Sequence, residues 1–306
     1  MTRWRHLSAR TAPVQGQKRD FYHGLLGSAS PDLVREASET LAGRVQFVDM
    51  SGFTLDEVGA RKLYTLWLRG GFPDSFLASD DENSWAWREN FVRTFLERDI
   101  PQLGVQIPAA TLRRFWTMVA HQHGQIWNGS EIGASLGVAH TTARRYLDLL
   151  TGAFMVRQLP AWFENVGKRL VKSPKVYIRD SGLFHSLLGL STRELLESHP
   201  KLGASWEGFA LEQVLSLMGE RDSYFWGTHG GAELDLLLMR RGKRWGIEFK
   251  YQDAPTMTKS MHVALANLKL DRLWVIFPGA TDYPVHERVE CVGLRNLAKI
   301  MTARSR

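Results

Sequence analysis

The sequence predicts a mixed α/β fold built from three consecutive parts, and three observations carry that prediction. Between residues 205 and 278, two helical stretches frame four short strands, two of which (233–239 and 245–250) are apolar yet hold isolated acids. Between residues 110 and 150, three segments with apolar periodicity follow closely and lead straight into a strand. Between residues 23 and 68, short β-prone runs alternate with helical ones. Such alternation builds layered α/β units, and the strand–helix–strand ending implies one right-handed parallel crossover beside antiparallel hairpins.

Composition narrows the class. The 306 residues are 44% hydrophobic and 23% charged, with 11 Trp and 15 Phe, enough material for two or three packed cores. No apolar run approaches the roughly 18 residues that span a bilayer, so no membrane partner is expected. The single cysteine, Cys291, leaves no internal disulfide and no thiolate zinc cluster, which makes a cytoplasmic location the default. The net charge of +7 overstates any nucleic-acid footprint. Arg3, Arg5, Arg10, Lys18 and Arg19 against Asp20 alone place four of those seven charges in the first twenty residues. The remainder permits DNA contact without arguing for it.

Along the chain, residues 1–21 read as a disordered, basic leader. Gly24 to Ser30 reads as a strand end running into a small-residue turn, and Pro31-Asp32 opens a helix to about Leu41 with Ser30 as its N-cap. Val45 to Val48 reads as a second strand. A helix through Val58, Leu63 and Leu66-Trp67-Leu68 ends at Gly70-Gly71-Phe72-Pro73. Residues 79–84 are a polar loop, and a long helix from about Trp85 to Arg98 lines up Trp87, Phe91, Phe95 and Leu96. Pro101 and Pro108 bracket a linker. Helices are expected at 110–122, from Asn128 to Gly137, and at 140–150, followed by strands at 154–159 and 175–178, a short helix at 180–189 and a linker at 191–200. The divisions expected are therefore 1–21, 22–100, 101–200 and 201–306.

The last division carries the chemistry. In Trp245-Gly-Ile-Glu-Phe-Lys250, strand alternation sends Trp245, Ile247 and Phe249 to one face and Glu248 and Lys250 to the other. Asp235 lies within the apolar run Glu-Leu-Asp-Leu-Leu-Leu, and a hairpin through Arg240-Arg241-Gly242-Lys243 brings it alongside Glu248. Two carboxylates at that distance repel unless a cation sits between them. Mg²⁺ suits such a pair, since it takes one or two carboxylates with water and phosphate oxygens. Glu207, on the preceding helix, is placed to complete the shell, and Lys250 to orient an attacking water.

This order, a helix-borne Glu, an Asp, then Glu-x-Lys on the next strand, resembles the PD-(D/E)XK phosphodiesterase superfamily. The resemblance implies a restriction-endonuclease-like domain with Glu207, Asp235, Glu248 and Lys250 catalytic and the three acids holding Mg²⁺. Glu-Leu-Asp stands where that family often has a proline–Asp pair.

The helices of the 101–200 division resemble a winged helix-turn-helix. Ser130 to Val138 matches its second helix and glycine turn, and His140 to Tyr146 its recognition helix. That implies nucleic-acid contacts by Thr141, Thr142, Arg144 and Arg145, with Lys168 and Arg169 in the wing. Such modules also serve as pure protein-packing units, so a protein partner is an equal expectation.

Longer stretches carry a third resemblance. Leu25 to Ser30, Leu41 to Arg44, Gly70 to Pro73, Leu96 to Ile100, Lys175 to Leu183, Ser205 to Phe209 and Glu233 to Asp235 together resemble bacterial AAA+ ATPases whose C-terminal domain has no assigned function. The resemblance places Ser28 at a γ-phosphate-sensing position and Arg44 near the nucleotide, and makes residues 22–100 a remnant of the ATPase domain with its helical lid. The phosphate loop Gly-x-x-x-x-Gly-Lys-Ser/Thr and the acidic strand that such enzymes need are absent from the sequence. The chain is expected to be a truncated relative that does not hydrolyse ATP by itself. The functional expectation is a nucleic-acid-associated protein, with Mg²⁺-dependent phosphodiester cleavage as its sharpest form. The alternative is a non-catalytic DNA- or protein-binding module built on an inactive nuclease fold.

Overall fold

A computed structural model of the chain describes residues 6–8, 23–25, 50–102, 107–163, 173–228 and 230–298. The helix expected at 31–41, the strand at 45–48, and Ser28, Arg44, Lys168 and Arg169 lie outside the described residues. Strands β1 (His6–Ser8) and β2 (His23–Leu25) pair antiparallel, with His6 opposite Leu25. The leader reading expects no regular backbone at 6–8; a ladder of backbone hydrogen bonds needs no apolar period to form.

From residue 50 the chain runs as short helices. Helix α1 (Leu55–Val58) starts where Glu57 reaches back to accept from the Thr54 N–H at 2.8 Å. It ends at Gly59, whose φ of +85° no helix accommodates, so the single helix expected through Val58 and Leu68 is interrupted before α2 (Leu63–Arg69). After α3 (Pro73–Phe76) comes α4 (Asp81–Thr94), which begins inside the expected polar loop. Asp80 caps it, its Oδ1 accepting from the Asn83 N–H at 2.8 Å, and Asp81 and Glu82 sit favourably at the positive end of the helix dipole. A widened turn at Phe95–Asp99 joins α4 to the short α5 (Ile100–Gln102).

The middle region is helical: α6 (Ala109–His121), α7 (Gly129–Leu136) and α8 (His140–Gly152). Helix α7 is capped by Asn128 and stopped by Gly137 at φ +71°, as its sequence predicts. Strands β3 (Gln125–Ile126), β4 (Val156–Leu159) and β5 (Lys175–Ile178) form an antiparallel sheet with β5 in the centre. Leu112, Phe115, Trp116, Ile132, Ala143, Leu147, Val176 and Ile178 pack as one core, which also takes in Val92, Phe95, Leu96 and Ile100. Helix α9 (Ser181–Leu187) follows β5. The linker expected at 191–200 contains a further helix, α10 (Arg193–Glu197), capped by Thr192.

The C-terminal region is a mixed six-stranded sheet between helices. It comprises α11 (Leu202–Met218), β6 (Ser223–Gly227), β7 (Glu233–Arg240), β8 (Lys243–Phe249), α12 (Lys259–Asn267), β9 (Arg272–Phe277), β10 (Tyr283–His286) and β11 (Val289–Gly293). The strand order is β10-β11-β9-β8-β7-β6. The expected parallel crossover is β8–α12–β9, and a second parallel pair, β9 with β11, is an addition. One face packs Leu236, Leu238, Ile247, Phe249 and Ile276 on α11; the other packs Leu234, Leu237, Leu273 and Val275 on α12. Residues 50–102 have no core of their own. Leu55, Leu63, Leu66, Trp67 and Phe76 join the α11 core, while Val92 to Ile100 join the middle one. Trp67 meets Trp206, Phe209 and Tyr251 at ring distances of 5.4, 6.3 and 5.3 Å.

Candidate functional site

Antiparallel pairing of β7 with β8 sets Leu236 opposite Ile247, and one further step of that register places Asp235 opposite Glu248. Asp235 Oδ2 accepts from the Phe249 N–H at 3.0 Å, which ties the acid to the end of β8. Lys250 follows directly, its Nζ 2.9 Å from Glu248 Oε2. Glu207 comes from α11. Its neighbour Gly208 lets His123 approach so closely that a Cβ there would lie 2.0 Å from the imidazole Nε2. His123 Nδ1 accepts from the Ile178 N–H at 3.0 Å, and burial pushes this histidine down to about 3, so it packs as a neutral ring. The close contact seats α11 against β5, and the Tyr177 hydroxyl donates to Glu207 Oε1 at 2.7 Å.

The decisive group is one the sequence reading passed over. Lys175, at the start of β5, places its ammonium 2.9 Å from Glu233 Oε1, 3.4 Å from Asp235 Oδ1 and 3.5 Å from Glu207 Oε1. Its side chain is only 2% exposed, and its Nζ lies 5.8 Å from the centre of the Phe225 ring. The cation that two adjacent carboxylates demand is therefore supplied by the chain itself. Burial works against that charge, but the carboxylates Glu207, Asp235 and Glu233 outweigh it and hold Lys175 protonated, well above the ordinary lysine range.

The acids respond to the same surroundings. Burial, then Asp235, pushes Glu207 up to about 7. Burial, again with Asp235, pushes Glu248 up to about 8. Glu248 is 3% exposed and its Oε1 has no hydrogen-bond partner. Burial also opposes the charge on Lys250, but Glu248 and Asp235 hold it above its usual value.

Tested against Mg²⁺, this arrangement does not fit. The unpartnered Glu248 Oε1 is the kind of atom a metal would satisfy, but the space shared by Glu207 and Asp235 holds an ammonium. Among the described residues no group of three or more His, Cys, Asp or Glu is set to hold a metal ion. Of the four residues singled out in the sequence, Glu207 and Asp235 share the Lys175 ammonium, while Glu248 pairs with Lys250 on the strand beside Asp235.

Two further contacts join the elements around Lys175. Arg157 on β4 makes a partly buried bidentate pair with Glu212 of α11, at 2.5 and 2.9 Å, and reaches Glu220 at 2.6 Å. The pairing of β6 with β7 shifts register between Tyr224 and Trp226. The residue at that shift, Phe225, turns its backbone to the segment after β4, accepting from the Trp162 N–H at 2.7 Å and donating to the Pro160 carbonyl at 2.9 Å. A bulge commonly re-aims strand groups in this way.

On α8, Thr141, Arg144 and Arg145 are exposed and Thr142 is partly so. Arg144 pairs with Asp148 one turn on, at 3.1 Å, and Arg145 has no carboxylate partner among the described residues. These groups lie on a helix apart from the carboxylate cluster. Sequence reasoning missed Lys175, Tyr177 and Glu233. The available signal was Lys-Val-Tyr-Ile, a strand buried along its whole length that carries two polar groups on one face.

Known sequences resemble this chain in two blocks. Residues 60–194 match a domain of unknown function (DUF8612), and residues 202–297 match another (DUF4143). The first block crosses residue 100, as do the shared cores described above. An uncharacterized protein of Mycobacterium bovis is 54% identical over 268 residues, and so is one of Mycobacterium tuberculosis. Each alignment covers 88% of this chain, which spans 61% of the length of those curated relatives. No solved structure matches the chain. No helix of the described residues is long and apolar enough to cross a membrane.

Proposed function

We propose that this chain is a non-catalytic binding module: a winged helix offering α8 to nucleic acid, clamped onto an inactive nuclease-like domain. The observation that carries it is the Lys175 ammonium within 3.5 Å of Glu207, Glu233 and Asp235. A phosphodiesterase of the kind Glu207, Asp235, Glu248 and Lys250 resemble needs Mg²⁺ between its acids and the substrate phosphate. Here Glu207 and Asp235 are engaged by a lysine from the middle region, and Glu248 by Lys250. On this reading the carboxylates hold two parts of the molecule together, and the exposed Thr141, Thr142, Arg144 and Arg145 carry the contact to DNA. A family role beside an ATPase fits the resemblance of residues 22–100, but the sequence has no phosphate loop and ATP turnover by this chain is not part of the proposal.

The test is to incubate the full chain with single-stranded, duplex and branched DNA in Mg²⁺ or Mn²⁺. Binding without cleavage is the expected result. Cleavage that disappears in Asp235→Ala and Lys250→Ala would replace this reading with a metal-dependent nuclease. A gel shift unchanged by Arg144→Ala and Arg145→Ala would remove α8 from the account.

A further inference from the structure

We propose that Lys175 is a built-in counter-ion that keeps divalent metal out of the Glu207–Asp235–Glu248 cluster, and that neutralising it turns the cluster into a Mn²⁺ or Mg²⁺ site. The inference deepens the non-catalytic reading and rests on its account of the cluster. Among the described residues, the cations paired with Glu207, Glu233, Asp235 and Glu248 are Lys175 and Lys250. Removing the Lys175 charge leaves an excess of buried negative charge that protonation or a cation must offset. A hard divalent cation is the natural replacement, since every free group is an oxygen and Glu248 Oε1 already lacks a partner.

The lysine is not free to swing aside. Its backbone lies in the central strand of a three-stranded sheet, with Ile126 and Leu159 as its neighbours on either side. Its side chain is buried against Phe225. The Arg157–Glu212 pair and the Phe225 backbone bonds hold the surrounding elements through contacts that do not use the Lys175 charge, so they remain available to neutral variants.

The experiment titrates the full chain with Mn²⁺, reading bound metal by electron paramagnetic resonance and stability by thermal melting. The native protein, Lys175→Met and Lys175→Gln are compared; glutamine keeps a hydrogen-bond donor without the charge. The native protein should show no saturable site. Each variant should bind one Mn²⁺ per chain saturably, at least about tenfold more tightly than any residual binding to the native chain, and melt higher in its presence. Adding Asp235→Asn to Lys175→Gln should abolish both effects. A native protein that binds Mn²⁺ in an Asp235-dependent way overturns the inference, and so do folded variants that bind none. A variant that folds only with Mn²⁺ supports it. If both variants fail to fold even in Mn²⁺, the metal has not replaced the missing charge and the inference falls. Loss of DNA binding would sink the binding-module reading without touching this one, and Mn²⁺ bound by the native chain without cleavage would do the reverse.

Discussion

Replacing Glu248 by Gln should flatten the pH dependence of stability between about pH 6.5 and 8. Glu248 is 3% exposed, its Oε1 is unpartnered, and burial with Asp235 pushes its carboxyl from 4.5 to about 8. An acid whose folded value is raised keeps, in the native state, a proton that the unfolded chain has released. Through that window the native state binds one proton more, so stability falls by about 1.4 kcal/mol per pH unit as pH rises. For Glu248 alone that is about 2 kcal/mol between pH 6.5 and 8. Glu207, pushed up to about 7, adds in the same direction until its own value is passed. The buried His123 and His185, both pushed down to about 3 by burial, act the opposite way, but only below the ordinary histidine value. Glutamine keeps the shape of the neutral carboxyl and removes its proton. Urea unfolding at half-unit pH intervals gives the comparison. The native curve should fall across the window, and the variant curve should fall less by about one proton's worth of slope. Parallel curves, or a native stability that rises between pH 6.5 and 8, would refute the argument.

Other perturbations have equally definite outcomes. Arg157→Met leaves the partly buried Glu212 with the longer Arg179 contact at 3.5 Å, and should cost about 1–3 kcal/mol in urea unfolding, with coupling to Glu212→Gln in a double-mutant cycle. Gly182→Ala drives a Cβ to 2.2 Å from the Arg69 carbonyl oxygen, so α9 must separate from α2 and the melting temperature should drop by the equivalent of about 1–3 kcal/mol or more. Gly152→Ala, which meets nothing within 4 Å, is the matched control and should leave melting unchanged or slightly raised. Arg145→Ala should lower DNA affinity and reduce the salt slope by about one, whereas Arg144→Ala should do less because Asp148 already holds its charge.

Much of the C-terminal region was legible because its signals are local. An acid inside an apolar strand, alternation at 245–250 and a helical period at 205–218 locate α11, β7 and β8 without tertiary information. The helix caps Asn128 and Gly137 were equally plain. Strands β10 and β11 were not, since Tyr-Pro-Val-His and Val-Glu-Cys-Val-Gly are too short and irregular for a period to emerge. Asp81 starts α4 through capping chemistry rather than apolar spacing, so a polar run looked like a loop. The site itself divided in the same way. Residues within one supersecondary unit, Asp235, Glu248 and Lys250, were found together. Lys175 was missed because what gives it meaning is a contact 60 residues away in sequence.

The order in which the chain is made gives the Trp67 contacts a further consequence. The Trp67 indole donates to Ser205 Oγ, 138 residues later. At roughly 5–20 residues per second of synthesis, α2 waits about seven to thirty seconds for the helix that buries it. During that interval Leu63, Leu66 and Trp67 present an apolar surface, and any chain released before α11 exposes it permanently. Such a surface is what chaperones recognise and what drives aggregation of nascent proteins.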